Sequence, residues 1–325
     1  MYFKFLFVSV FLINTLTTLS CDICGSYMGL TPYDNKNMVT FLHRYRVYNG
    51  YRNYQTHGQF FPTVAYKVIH DTPTDSSLQN KTYSSKDFES YKVFELRLKY
   101  FALKRLEINA FIPVLNNKSK NNNQSVSHTG LGDVSMLIGY HFISPKVDDK
   151  IKHKLICGLG IKTPTGNYYA HDNFSNRLPF EMQPGTGSWD LLLNTNYLLM
   201  IKNWGANINC NFKYNGKNSY AEKLARSTTN FATVFYNVPI KKIILYPSVQ
   251  FNYEYSEGLY AKNNLVDGLK VNTLMVGPGL DLYYKNISIN TSFQLTAHEE
   301  VSVGQLKNVG RISVGLNYSF NSKSQ

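Results

Sequence analysis

The residues with the most chemical potential in this 325-residue chain are charged side chains at alternate positions of extended segments. Arg44, Arg46, Arg97, Lys99, Lys162 and Lys213 share a predicted polar face with Glu95, Asp133, Asp190, Glu254 and Asp281. In a closed sheet with a wet interior these eleven residues line the lumen. Two chemistries follow. They form a ladder of cross-lumen ion pairs that stiffens a narrow interior, or rings of Arg and Lys lower the barrier to carboxylates and make an anion-leaning constriction. Lys162 and Asp190 are expected to meet across the lumen.

Other reactive residue types carry less. Of eight histidines, His43 falls on the apolar side of its segment with no obvious Ser or acid partner, and His298 reads as a lumen or rim residue. No catalytic set emerges, although a hydrolase at the barrel wall or rim is the enzymatic alternative. Gly130-Leu131-Gly132-Asp133 precedes a strand rather than a helix, so no helix N-terminus is offered to a phosphate. Gly277-Pro278-Gly279 lies within a strand, where it marks a bend or a close approach. Cys157 and Cys210 fall on outward positions of non-adjacent strands, too far apart to bridge. Cys21 and Cys24, in Cys-Asp-Ile-Cys-Gly, leave three readings open: a local disulfide, lipid attachment at Cys21, or a soft-metal or redox site. One Cys-x-x-Cys without a second pair or a nearby His does not by itself make a metal centre, and no metal or other cofactor is expected.

The elements that must position these residues are strands. Residues 1–20 contain one charge, Lys4, then an apolar run from Phe5 to Ile13, the layout of a secretory signal peptide. No later segment offers ~18 uninterrupted apolar residues, which excludes a membrane-spanning helix. Twelve candidate strands follow: 38–49, 91–101, 105–115, 131–143, 152–163, 188–200, 204–215, 230–238, 243–255, 272–284, 287–298 and 311–321. Many alternate strictly. Ala206, Ile208, Cys210, Phe212 and Tyr214 oppose Asn207, Asn209, Asn211 and Lys213, a face too polar for the core of a soluble sandwich.

Links between strands alternate long and short throughout, as in barrels with short periplasmic turns and long extracellular loops. The Asn-, Lys- and Ser-rich run from Asn116 to Gln124 reads as a mobile loop tip. The expected fold is therefore all-β: a closed antiparallel transmembrane barrel of about twelve strands over residues 38–321, preceded by a periplasmic segment, 21–37, and followed by a short tail, 322–325. The chain's 25 tyrosines and 20 phenylalanines supply the aromatic girdles of such a barrel. The spacing of Gly315, Tyr318 and Phe320 in the last strand resembles the C-terminal signal by which outer-membrane barrels are handed to their insertion machinery, which is therefore an expected partner. The formal charge of +13 includes Lys4. Because the basic residues are scattered and the chain carries an export signal, nucleic acid is excluded as a partner.

Three stretches carry a family resemblance. Gly130-Leu131-Gly132-Asp133-Val134-Ser135, Gly158-Leu159-Gly160-Ile161-Lys162-Thr163-Pro164-Thr165-Gly166 and Gln183-Pro184-Gly185-Thr186-Gly187-Ser188-Trp189-Asp190 resemble the hallmarks of the meta-pathway phenol-degradation family of outer-membrane proteins. The resemblance implies a barrel that passes hydrophobic or aromatic compounds, without an assigned ligand. It places Gln183, Pro184, Gly185, Thr186, Gly187 and Trp189 in a tight turn at or in the mouth. The Cys-Asp-Ile-Cys-Gly start resembles that of related short barrels, which often carry a third Cys where this chain has Ser26. The expected function is a channel or transporter for small organic solutes, aromatic or anionic, in the outer membrane of a Gram-negative bacterium. Membrane lipid is the expected surrounding partner. The alternative is a closed structural or surface-binding barrel without transport.

Overall fold

A backbone group left unpaired in hydrocarbon costs several kcal/mol, so strands can cross a bilayer only if the sheet they form has no edge. The computed structural model, which describes residues 36–51, 87–121, 124–145, 150–172, 175–266, 271–301 and 306–320, meets this condition. Its strands are β1 (Asn37–Tyr51), β2 (Phe88–Leu103), β3 (Leu106–Asn121), β4 (Gln124–Leu131), β5 (Ser135–Ile143), β6 (Ile151–Lys162), β7 (Asp190–Ile201), β8 (Trp204–Asn215), β9 (Glu222–Leu224), β10 (Ser227–Tyr236), β11 (Val238–Ile240), β12 (Ile243–Ser256), β13 (Leu259–Ala261), β14 (Asn264–Val266), β15 (Val271–Tyr284), β16 (Ile287–Val301) and β17 (Leu306–Phe320). Neighbours in the chain pair antiparallel around the ring, and β1 closes it on β17 from Asn37↔Phe320 to Tyr51↔Leu306.

Two wall positions are each made of two strands. β3 pairs with β5 below and β4 above, the break falling at Gly132-Asp133-Val134. β10 and β11 both pair with β12 and are separated by Asn237. With these merged the wall is a closed antiparallel barrel of twelve strands.

The burial pattern inverts that of a soluble protein. Phe41, Phe94, Ile138, Leu159, Leu193, Ile208, Val249, Leu280 and Val314 are exposed on the outside, whereas Arg97, Asn109, His141, Asn207, Asn252 and Asp281 are buried within. An apolar surface that wraps the whole wall is far beyond what a soluble monomer leaves uncovered. It is the surface of a barrel in lipid.

Four departures from the sequence expectations have local causes. Asn116 to Asn121 and Gln124 are strand residues of a β3–β4 hairpin, paired from Val114↔Leu131 to Asn121↔Gln124, rather than part of a loop. Asn, Lys and Ser are poor strand formers, but the ladder and side-chain bonds such as Asn116 Nδ2 to Thr129 Oγ1 (2.6 Å) hold them extended. The long loops contain structure of their own, a small sheet in the order β14-β13-β9. A bulge after Leu274↔His298 reverses the alternation of β16. His298 is therefore outside and exposed, while Glu299 turns inward. The strand expected at 131–143 breaks at Gly132-Asp133-Val134, which lie outside both β4 and β5.

At the opposite end, four hairpins turn on two residues: Lys104-Arg105, Lys202-Asn203, Lys241-Lys242 and Lys285-Asn286. Lys202, Lys241 and Lys285 take left-handed φ values of 55°, 53° and 54°. That region costs a side chain with a Cβ roughly 1–2 kcal/mol.

Gly205 shows how tightly the periplasmic half of the interior is packed. A Cβ there would lie 2.0 Å from the Phe235 ring, which is itself fixed edge-on against Tyr246 at 5.5 Å and clustered with Leu198 and Met200. Gly205→Val should lower stability by about 1–3 kcal/mol, the usual cost of overpacking. A urea midpoint unchanged from the native chain in micelles would show that this cluster has room to spare.

Candidate pore and mouth loop

All eleven of the charged residues singled out in the sequence are buried inside the barrel, ten of them by alternation along a strand and Asp133 from the break between β4 and β5: Arg44, Arg46, Glu95, Arg97, Lys99, Asp133, Lys162, Asp190, Lys213, Glu254 and Asp281. They form layers. Glu95 sits between Arg97, its partner on the same strand, and Arg44 of β1 at 3.3 Å. Glu254 of β12 accepts from Arg46 of β1 at 2.7 Å and from Arg311 of β17 at 3.1 Å. Because β17, β16 and β15 separate β1 from β12 in the wall, the Arg46–Glu254 bond crosses the interior. Arg311 also lies 5.5 Å from the Phe231 ring of β10. Lower down, Glu107 is bonded to Lys99 (3.3 Å), His141 Nε2 (2.9 Å) and Asn109 Nδ2 (3.1 Å).

The most densely connected group is at the mouth. Asp133, in the break between β4 and β5, accepts from the backbone N–H of Gly166 and of Thr186, both at 2.9 Å, and from the Thr186 hydroxyl at 2.9 Å. Lys162 Nζ lies 2.5 Å from Asp133 Oδ2 and 3.0 Å from Asp190 Oδ2, so one ammonium is shared by two carboxylates. Ser188 Oγ and the Gly216 N–H donate to Asp190 Oδ1 at 2.8 and 3.0 Å. Thr165 Oγ1 accepts from the Val134 N–H at 2.8 Å, which stitches the broken strand to the next loop.

This packing explains the glycines. A Cβ on Gly166 would be 2.8 Å from the Gly132 carbonyl carbon and 2.8 Å from Gly185 Cα, and one on Gly185 would be 2.7 Å from the Asp133 carboxylate. Gly185 is needed for space. Gly187 alone of the two takes a positive φ, 72°, and the Tyr168 ring packs where its Cβ would be.

From this anchor the loop between β6 and β7 folds across the mouth. Leu178 and Met182 pack with Ala170 against Tyr91 of β2 and Val126 of β4. Phe180 packs with Leu224, Ala225 and Leu259 against Tyr260 and Val271 on another side. Gln183 ties the loop to itself, accepting from the Ala170 N–H at 2.8 Å and donating to the Leu178 carbonyl at 2.9 Å. Pro184 is buried against Gly130. Arg177 holds the rim, bonded to Glu222 at 2.7 and 2.9 Å and stacked on Tyr220 at 4.2 Å. Trp189 is a correction to the sequence expectation: it is 62% exposed on the outer surface rather than in the mouth, because the parity that sends Asp190 inward sends its neighbour out.

Among the described residues, two of the interior cavities have volumes of about 50 Å³ each. The upper one has Phe111, Pro113, Leu137 and Leu192 on one part of its lining and Glu95, Lys162 and Lys213 on another. The lower one is lined by Arg44, Arg97, Gln250, Asp281 and Arg311. The Arg44–Glu95–Arg97 layer lies between them.

The remaining candidates sit elsewhere. His43 stacks on Phe94 at 4.4 Å on the outer face. Cys157 and Cys210 are free, aligned across the intervening strand at Thr195. Tyr318 and Phe320 are exposed outside while Gly315 is buried. Cys21 and Cys24, the leader and the tail fall outside the described residues. Among the described residues no cluster of His, Cys, Asp or Glu is arranged to hold a metal. Alternation could find the inward charges, and the glycine-rich motif marked Thr186; neither could find Phe180 and Met182, whose roles come from a non-periodic loop.

The geometry defines an outer-membrane β-barrel, and the comparisons agree at the level of fold. No family model matches the chain, and no curated protein matches it. Among solved structures it is similar to an outer membrane channel from Pseudomonas putida F1, at 14% identity and a TM-score of 0.63, over 91% of this chain and 98% of that one. The β domain of a Bordetella autotransporter is more distant, at 11% identity and a TM-score of 0.46 over 88% and 100% of the two chains.

Removing the shared cation leaves two buried carboxylates facing each other. Lys162→Met should cost roughly 3–5 kcal/mol, the usual result of breaking a buried pair from one side. It should also release the loop, read as faster tryptic cleavage after Arg177 in the folded barrel. Native-like protection at Arg177 would mean the loop is held by its apolar contacts alone.

Proposed function

We propose that the protein is an outer-membrane channel for small organic solutes, in keeping with the resemblance of its glycine-rich motifs to those of the meta-pathway phenol-degradation family. The carrying observation is the pair of interior cavities stacked above and below the Arg44–Glu95–Arg97 layer. The upper cavity combines an apolar wall, Phe111, Pro113, Leu137 and Leu192, with nearby ammonium groups. Such a lining suits a solute with an apolar or aromatic body and one polar end. A preference for anions gains no support from the interior charge, because buried carboxylates are at least as numerous as buried Lys and Arg. In this reading the mouth loop sets the entrance and the ion-pair layers set the barrier. Residues 1–20 act as the export leader, and Gly315, Tyr318 and Phe320 present the chain to the insertion machinery.

One observation favours a second reading, a closed structural or surface-binding barrel: Arg46 and Glu254 bridge the interior at 2.7 Å. A hydrolase receives no such support. Among the described residues no histidine is bonded to a serine hydroxyl, the partners being Glu107 for His141 and Tyr197 for His153.

Planar-bilayer recording of the refolded chain separates channel from closed barrel. The native protein should show small, infrequent openings. Arg44→Gln combined with Arg46→Gln should raise single-channel conductance several-fold, since it removes the Arg46–Glu254 bridge while Glu95 keeps Arg97 and Glu254 keeps Arg311, so no buried carboxylate is stranded. Silence from both proteins would decide for the closed barrel.

A further inference from the structure

The turns at the periplasmic end do something the channel does not require. The four two-residue hairpins hold Lys104-Arg105, Lys202-Asn203, Lys241-Lys242 and Lys285-Asn286. Every one carries at least one cation, none carries an acid, and all eight residues are exposed. The fifth periplasmic link, residues 144–150, is neutral by sequence, with Lys146 and Lys150 against Asp148 and Asp149.

An exposed turn needs only to be polar, and Asn, Asp or Gly would satisfy it. At the left-handed first position of a hairpin turn they are also the residues that backbone sterics favour. This chain places Lys there three times, at Lys202, Lys241 and Lys285. Asn is used at the second position in two of these turns, Asn203 and Asn286. The same chain follows the usual preference at its extracellular β13–β14 hairpin only in part, with Lys262 then Asn263 at positive φ. Lys at a left-handed turn position therefore occurs at both ends of the barrel, and what sets the periplasmic end apart is that all four two-residue turns there carry a cation and none carries an acid.

The height of these cations identifies what they face. The turn residues are flanked directly by outward-facing apolar and aromatic side chains: Leu103, Ile201, Trp204, Ile240, Tyr284 and Ile287 are all exposed. Trp204 packs edge-on against Tyr236 at 5.0 Å, as in an interfacial girdle. Lys285 Nζ turns back to within 5.4 Å of the Tyr284 ring. The ammonium groups therefore stand one residue beyond the apolar belt, at the level of the phospholipid phosphates rather than out in the periplasm.

We infer that the periplasmic rim is a binding surface for anionic phospholipid headgroups, formed by Lys202, Lys241, Lys242 and Lys285 with Lys104 and Arg105. A phosphodiester with no compensating ammonium, as in phosphatidylglycerol, gains a contact here that a zwitterionic headgroup does not. One cation near an anionic bilayer surface favours association by about fivefold. The attraction is screened by salt, because the rim is exposed.

The test uses the full chain refolded into phosphatidylcholine bilayers containing a trace of spin-labelled phosphatidylglycerol or spin-labelled phosphatidylcholine. The readout is the motionally restricted fraction of each label. The native protein should enrich phosphatidylglycerol over phosphatidylcholine by about fivefold at low ionic strength, and the ratio should approach one at high salt. Lys202→Asn, Lys241→Asn and Lys285→Asn together should abolish most of the preference. Asn fits the left-handed positions better than Lys, so this variant keeps the hairpins. Lys223→Gln with Arg226→Gln, which removes cations beside Tyr214 at the extracellular rim, should leave the preference intact. Equal restriction of both lipids by the native protein overturns the inference, as does a preference that survives the triple Asn variant or disappears with the extracellular one.

Discussion

The structure depends on one requirement: every backbone N–H and C=O at membrane depth must find a partner in the protein, because hydrocarbon offers none. A sheet can satisfy it only by joining its first strand to its last. Here that seam is β1 against β17, starting with Asn37 opposite Phe320, and the other strands follow as a simple meander. Once closed, the wall has two surfaces with opposite solvents. A strand's period of two then assigns every residue to lipid or to the interior. Polar side chains are buried and apolar ones exposed as a direct consequence, and no separate explanation is needed for either.

The interior charges follow from the same closure. Ionisable side chains crowded into one narrow space cannot stay ionised unless they neutralise each other, since unpaired burial costs several kcal/mol per ion. The layers meet this by sharing: Glu95 between two arginines, Glu254 between Arg46 and Arg311, Lys162 between Asp133 and Asp190. Such pairs contribute little net stability against an apolar core. What they supply is position. A chain of mutually dependent charges fixes which strands face each other and leaves water-sized spaces between layers.

Most of the wall was legible in the sequence because it is periodic. Asn207, Asn209, Asn211 and Lys213 point inward for the reason that Ala206, Ile208, Cys210 and Phe212 point outward, and eight or more such residues in a row leave little ambiguity. Legibility fails where the period fails. The bulge in β16 inserts one residue and so exchanges the faces of His298 and Glu299. The polar β3–β4 hairpin has no apolar side to reveal it, and its ladder bonds are invisible in composition. The candidate site was readable by a different signal. The glycine-rich motifs marked the mouth loop, but not that Asp133 is its centre, because the convergence of Gly132, Gly166 and Gly185 brings together residues 53 positions apart in the chain.

That convergence also explains how the described part of the mouth loop is held in place although its regular structure is limited to one 3-10 turn, Phe180–Met182. A loop across an opening loses conformational entropy of about 1–2 kcal/mol per residue fixed, and burial of Leu178, Phe180 and Met182 offsets only part of this at about 1.5–3 kcal/mol for each large side chain. The remainder must come from directional bonds. Asp133 receives two backbone N–H groups, a hydroxyl and an ammonium, and charge-assisted bonds of this kind are about twice as strong as neutral ones. Because the carboxylate lies in a strand break and not on a continuous ladder, its backbone is free to approach the loop. The break at Gly132 is therefore the structural condition for the mouth: an unbroken strand would keep its hydrogen bonds but would place no acceptor where the Gly166 and Thr186 amides need one.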